Sequence, residues 1–162
     1  VLLLDQNRAR WDHLLIRRGL DALARVEALC AQHGESLGPY ALQAAIAACH
    51  ARANEAAQTD WARIAALYEA LAQTAPSPVV ELNRAVAVAM AYDPAAGLAI
   101  LDTLRDAKAL QAYQWLPSVR GDLLHKLGRH AEARAEFERA AALTQNQRER
   151  ELLLARAQAC SA

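Results

Sequence analysis

The clearest pattern of apolar and polar positions along the chain lies in residues 116–143. In its second half, Ala133, Phe137 and Ala140 recur at steps of four and three residues, with charged residues filling most positions between them. That spacing puts the three side chains on one face of a helix. Gly128 divides the stretch, and glycine adopts the left-handed conformation of a helix C-cap without a Cβ clash. The pattern predicts an antiparallel pair of helices, Leu116–Leu127 and Arg129–Leu143.

A similar arrangement occurs twice earlier in the chain, with weaker matches to the residue pattern. Gly121 lies twelve residues before Ala133. Ala85 lies twelve residues before Gly97, which corresponds to Ala133 one repeat earlier. Ile64 takes the same place one repeat before Gly97, so the steps between these positions are 33 and 36 residues. The chain is therefore predicted to contain an internal repeat of helix pairs.

Four residues after each of these repeat positions comes a larger side chain: Tyr68, Leu101 and Phe137. A small residue followed four positions later by an aromatic one, with a period of about 34 residues, marks the tetratricopeptide repeat. The last two thirds of the chain resemble that family. We expect the three larger side chains to occupy equivalent buried positions.

Residues 1–37 read as a helical entry segment ahead of the repeats. Asp5 and Asp12 are candidate N-caps, the second for a long amphipathic helix that ends at Gly34. The stripe predicted to be buried comprises Leu15, Ile16, Leu20, Leu23, Val26, Leu29 and Cys30. Gly19 lies inside this stripe, where it indicates the close approach of another helix.

Short polar residues precede the further helices, where their side chains accept hydrogen bonds from the first backbone N–H groups. These N-caps are Asp60, Ser77, Asp93 and Asn146. No alternating pattern of a strand is present. The predicted fold is an all-α antiparallel helix-turn-helix array in one domain. Its parts are the entry segment 1–37, three tetratricopeptide-like helix pairs in 38–143 and a capping helix in 144–162.

Composition favours this compact helical fold. The 162 residues are 54% hydrophobic, with 6 Gly and 5 Pro. Basic and acidic residues balance at 18 each, so no net charge draws the chain to nucleic acid or to an anionic membrane. No uninterrupted apolar run approaches the ~20 residues that span a bilayer. We expect neither a membrane nor a nucleic acid as a partner.

No chemistry-bearing motif stands out. The three cysteines, Cys30, Cys49 and Cys160, form no C-x-x-C pair, which indicates reduced thiols in a cytoplasmic protein. No two of the five histidines lie at i, i+4 spacing with a carboxylate between them. We therefore expect no metal site, no cofactor and no catalytic residue.

Five short sequence segments, taken in their order along the chain, give a narrower resemblance than the repeat alone. The segments are residues 5–12 (DQNRARWD), 38–48 (GPYALQAAIAA), 59–64 (TDWARI), 76–87 (PSPVVELNRAVA) and 127–129 (LGR). Together they resemble the C-terminal tetratricopeptide-like extension of bacterial extracytoplasmic-function (ECF) RNA polymerase sigma factors. The resemblance implies that Val1 begins just downstream of the promoter-binding and polymerase-binding regions. It also implies a regulatory protein-interaction domain, whose partners are its own sigma domains, the polymerase or a regulator.

Two polar clusters are candidate contact sites. Asn83 and Arg84 lie in an otherwise apolar helix, so they must find partners or face a groove. With Arg120 and Asp122 they form a candidate protein-binding groove. The alternative is structural: Asn83 ties adjacent helices together, and Arg84 pairs with an acid such as Glu69 or Glu81. A second set is a candidate docking cluster for an acidic protein surface, and it comprises Arg8, Arg10, Arg17 and Arg18.

Two other functional classes remain open. The chain is alternatively a stand-alone tetratricopeptide scaffold for another cytoplasmic complex. A third class, an enzyme or a small-ligand binder, would need a deep pocket with convergent polar groups.

Overall fold

A computed structural model of the chain describes residues 6–160. Its α-helices are α1 (His13–His33), α2 (Pro39–Arg52), α3 (Trp61–Thr74), α4 (Pro78–Ala91), α5 (Pro94–Thr103), α6 (Trp115–Lys126), α7 (His130–Leu143) and α8 (Gln147–Ala159). Short 3-10 helices lie at Arg8–Arg10, Ala56–Gln58 and Lys108–Leu110. No strand occurs in the described range, and the predicted all-α class is confirmed. Nor is any helix in this range long and apolar enough to cross a membrane.

The helix ends follow the signals in the sequence. Asp12 accepts hydrogen bonds from the backbone N–H groups of Leu14 and Leu15, and the other predicted N-caps also accept from the first turns of their helices. Gly128 has a φ of 73°, the left-handed conformation predicted for it. The predicted cap Asp5, like the rest of residues 1–5, lies outside the described range.

The chain divides into two compact units, Val1–Pro76 and Ser77–Ala162. The first contains α1 to α3 and the second α4 to α8, and within each unit consecutive helices pack against each other. This confirms the predicted array of neighbouring helix pairs. The boundary falls inside the Pro76-Ser77-Pro78 triplet. The division into one domain with parts 1–37, 38–143 and 144–162 stays a prediction.

The second unit is built around Phe137, which is 1% exposed. A Cβ placed on Gly121 would lie only 2.7 Å from the Phe137 ring, so glycine lets α6 and α7 approach closely. Gly97, the counterpart of Ala133, allows a similarly close approach of α5 to α4, because a Cβ there would lie 2.6 Å from the Ala85 carbonyl oxygen. Leu101 is also fully buried. The positions predicted by the repeat are therefore packed as expected in this unit.

The first unit differs from the prediction at two places. Tyr68 is only half-buried, and that burial raises the pKa of its phenol. In α1 the predicted buried stripe is buried only in part: Leu23 is buried, while the others are half-buried (Ile16, Leu20 and Cys30) or exposed (Leu15, Val26 and Leu29). Leu23 packs with Ala45 and Ala48 of α2, and Leu67 of α3 lies against the same cluster. Glu27 of α1 also pairs with Arg63 of α3 at 3.6 Å.

Candidate protein-interaction surfaces

Helix α1 carries an exposed line of apolar and small side chains. Leu15 is 62% exposed, Val26 41% and Leu29 55%. The full line, here called the α1 stripe, is Leu15, Gly19, Ala22, Val26 and Leu29, and all five residues are exposed. Their steps of four, three, four and three residues are those of a seam along which two helices pack. Within the described chain, nothing lies within 4 Å of a Cβ at Gly19. The neighbour predicted at Gly19 is therefore absent from this range.

A basic edge runs beside the α1 stripe. Arg18 and Arg25 are exposed and lie seven residues apart. Each follows a stripe residue by three positions, which at 3.6 residues per turn places it about 60° around the helix from the stripe. The exposed Asp21 lies between them, three residues after Arg18 and four before Arg25, so two arginines and one aspartate leave this edge with a net positive charge. The two arginines, Arg18 and Arg25, are here called the α1 basic edge.

An open groove continues from the first residue of the α1 stripe. It has a volume of 570 Å³ and is lined mainly by apolar atoms of Trp11, Leu15, Ile16 and Ala47, together with His50. Burial, and then the positive charge of Arg8, lower the pKa of His50. The groove extends the apolar surface of α1 toward the C-terminal end of α2.

Arg8 belongs to the interior of the first unit rather than to a docking surface. It is 4% exposed, and its guanidinium donates hydrogen bonds to the carbonyl oxygens of His50 and Ala53 at 2.8 and 2.9 Å. These acceptors lie at the C-terminal end of α2, where unpaired carbonyls and the helix dipole favour a cation. The predicted docking cluster is reduced accordingly, and only Arg10, Arg17 and Arg18 are exposed.

Arg120, predicted to line a groove, is a buried link between three helices. It is 4% exposed and donates hydrogen bonds to Glu136 of α7 at 3.0 Å and to Asp102 of α5 at 2.5 Å. Burial lowers the pKa of Arg120, but the hydrogen bonds with Asp102 and Glu136 outweigh it and the net pKa is raised. A charged depression of 380 Å³ lies over this group, so solvent reaches its rim.

Two of the other predicted groove residues also have partners within the chain. Arg84 pairs with Glu81, with Nη2 2.9 Å from the carboxylate, which agrees with the structural alternative. Asp122 pairs with Arg156 of α8. Because Asp122 follows Arg120 by two positions, about 200° of helix rotation separates them. Arg120 faces α5 and α7 while Asp122 faces α8, so the two do not line one groove. Asn83 is half-buried on α4.

Comparisons with known proteins place the chain beside part of a longer polypeptide. No family model matches it, and no solved structure does. A protein of Rhizobium meliloti (strain 1021), described as uncharacterized, is 47% identical over 146 residues. The match covers 90% of this chain and 33% of that protein. The chain thus spans about a third of the length of the curated relative it matches.

Proposed function

We propose that this chain is the regulatory protein-interaction domain of an ECF-type sigma factor and modulates transcription initiation by docking on its own sigma domains. The five sequence segments described above support the family assignment. The 47% identical relative, of which the match covers 33%, supports a place within a longer polypeptide.

The observation that carries the proposal is the α1 stripe. Monomeric proteins rarely leave a continuous apolar line of this kind uncovered, and such surfaces mark contacts with partners. The two small residues in its middle, Gly19 and Ala22, let a second helix approach the α1 backbone closely. The steps of four and three residues match a helical partner.

The α1 basic edge defines the charge of that partner. A helix packed along the α1 stripe places its flanking residues opposite Arg18 and Arg25. We therefore expect a helix of the sigma domains with apolar residues at steps of three and four, flanked by Asp or Glu. Complementary charges of this kind raise the association rate and fix the register.

The test measures association of the 162-residue chain with the separately expressed sigma domains. Leu15→Asp with Leu29→Asp should weaken binding by at least about tenfold per leucine, because each change replaces an apolar contact of the seam with a buried charge and costs more than about 1.4 kcal/mol. The matched control is Leu152→Asp with Leu154→Asp on α8, where both leucines are also exposed. This control pair should bind like the parent.

Three outcomes would overturn the proposal. One is an equal loss of binding in the α8 control. Another is a dimer of this chain that the α1 variant dissolves, with no association to sigma domains, because the occupant would then be a second copy. The third is binding of promoter DNA by the chain at physiological salt without any protein association. In the supporting case, Arg18→Ala with Arg25→Ala also slows association and flattens its salt dependence.

A further inference from the structure

Two histidines meet at the turn between α6 and α7. His125 lies in the last turn of α6, and His130 is the first residue of α7. Gly128, with its positive φ, reverses the chain between them. The two imidazole centroids are consequently 5.1 Å apart, and both side chains are exposed to solvent.

A thiol from a third helix completes the group. Cys160 ends α8, is 7% exposed and packs within the apolar core of the second unit. Its Sγ lies 3.4 Å from Nδ1 of His125. One ligand atom from each of the three residues can be chosen so that all lie within 4.8 Å of one another.

These separations are close to those of a metal centre. With Zn–S bonds of about 2.3 Å and Zn–N bonds of about 2.0–2.1 Å, a tetrahedral ion sets S···N pairs about 3.6 Å and N···N pairs about 3.3 Å apart. The Cys160–His125 pair already has this spacing. His130 needs to move by at most about 1.5 Å on the same geometry, which rotation of an exposed ring provides.

We infer that His125, His130 and Cys160 form a three-ligand site for a divalent zinc-like cation. Thiolate and imidazole ligands suit Zn²⁺ and disfavour Mg²⁺ and Ca²⁺, which take oxygen ligands. On binding, the Cys160 thiol releases its proton to solvent as the sulfur–metal bond forms. Each neutral imidazole donates a nitrogen lone pair in place of a water of the hydrated ion. The fourth position faces solvent and keeps a water.

The bound ion would join the end of α8 to the turn between α6 and α7. It therefore stabilises the folded chain, since no such arrangement of ligands exists in the unfolded one. No local motif shows this site in the sequence, because His125 and His130 are five residues apart across a turn and Cys160 follows thirty residues later.

Titration of the reduced 162-residue chain with Co²⁺ tests the site. A thiolate-to-cobalt charge-transfer band should grow to one equivalent and disappear when Zn²⁺ is added. Cys160→Ser should remove the band, while the matched variant Cys30→Ser should keep it. His130→Gln changes an exposed ligand without disturbing the core, and its cobalt affinity should fall by more than about 100-fold. Loss of a direct ligand exceeds the 10–100-fold cost of outer-shell changes.

Zn²⁺ should also raise the melting temperature of the parent and of Cys30→Ser, but not that of His130→Gln. A parent chain without the band would overturn the site. Retention of the band in Cys160→Ser, or unchanged affinity in His130→Gln, would also overturn it by assigning the cobalt to other groups.

Discussion

Helices α1 and α6 show how differently two helices of this chain are used. α1 has 21 residues and one of them, Leu23, is buried. α6 has 12 residues and six are buried. The difference lies in their neighbours, because α6 packs against both α5 and α7 while α1 packs mainly on α2. The comparison teaches that an apolar period defines a face for packing without defining what covers it.

The uncovered face of α1 represents free energy available to a partner. Burying a Leu or Val side chain contributes about 1.5–3 kcal/mol. Within the described residues Leu15, Val26 and Leu29 stay exposed, so a partner that buries them would gain this contribution. The buried leucines of α6 already contribute this free energy within the second unit; they are Leu116, Leu123 and Leu124.

The largest expected difference between the units follows from removing one apolar side chain in each. Phe137→Ala should cost about 3–5 kcal/mol of unfolding free energy, the range for a buried aromatic. Leu29→Ala, on the α1 stripe, should stay within about 0.5 kcal/mol of the parent. Chemical denaturation of both variants checks this. A Phe137→Ala variant that unfolds like the parent would show that the repeat register is wrong.

Replacing a buried and an exposed arginine should likewise give a large and a small loss of unfolding free energy. Arg120→Ala leaves the buried Glu136 carboxylate without its main cation and should cost about 3–5 kcal/mol. The control Arg129→Ala removes a pair with Glu132 in which both side chains are about half exposed, and it should leave the unfolding midpoint nearly unchanged. The unfolding midpoint in urea measures both. Equal and small losses of stability in both variants would indicate that Arg120 is a surface contact residue.

Replacing glycine with alanine should have opposite effects on stability in α6 and in α1. Gly121→Ala places a methyl group 2.7 Å from the Phe137 ring and should destabilise the chain by about 1–3 kcal/mol. Gly19→Ala meets open space in a helix and should stabilise the isolated chain by about 0.5–1 kcal/mol. Under the proposed docking on sigma domains, the Gly19 variant should also bind those domains less well. Destabilisation by Gly19→Ala would mean that α1 is covered within the chain.

The smallest expected effect is a pH dependence in the first unit. Burial and the charge of Arg8 lower the pKa of His50 from its ordinary value of 6.5. The unfolded chain therefore takes up a proton at His50 more readily than the folded chain does. The contribution to stability is complete above pH 6.5 and is lost as the pH falls through the lowered pKa. His50→Gln should show less acid destabilisation in thermal melts at pH 7 and pH 5 than His33→Gln, and equal profiles would contradict this.

Local signals predicted most of the helix boundaries. Ser77-Pro78 begins α4, Gly128 follows α6, and the Gly121–Phe137 register describes the packing of α6 on α7. These features succeed because capping and close approach depend on residue type within a few positions. Arg8 and Arg120 were predicted as surface contacts because their partners are remote in sequence. Arg8 reaches carbonyls 42 and 45 residues away.

The α1 stripe shares Leu15, Val26 and Leu29 with the stripe that the sequence predicts to be buried, and all three are exposed. Its steps of four and three residues are equally typical of a core face and of a seam for an external helix. What distinguishes the two is whether the chain supplies a covering element, which periodicity does not encode. The exposed Gly19 and Ala22 in the middle of the stripe are the sequence signal that favours a second helix.

The hydrogen bonds of Arg8 also determine how α1 can respond to force and to binding. Arg8, before α1, is attached to the C-terminal end of α2, and Pro39, after α1, begins α2. Both ends of α1 are therefore fixed to opposite ends of one neighbouring helix. Tension applied to the residues before Arg8 would pass into α2 rather than peel α1 away. Between those two attachment points Leu23 packs on Ala45 and Ala48 of α2, and Glu27 pairs with Arg63 of α3. An incoming helix would therefore meet the α1 stripe in a preset orientation.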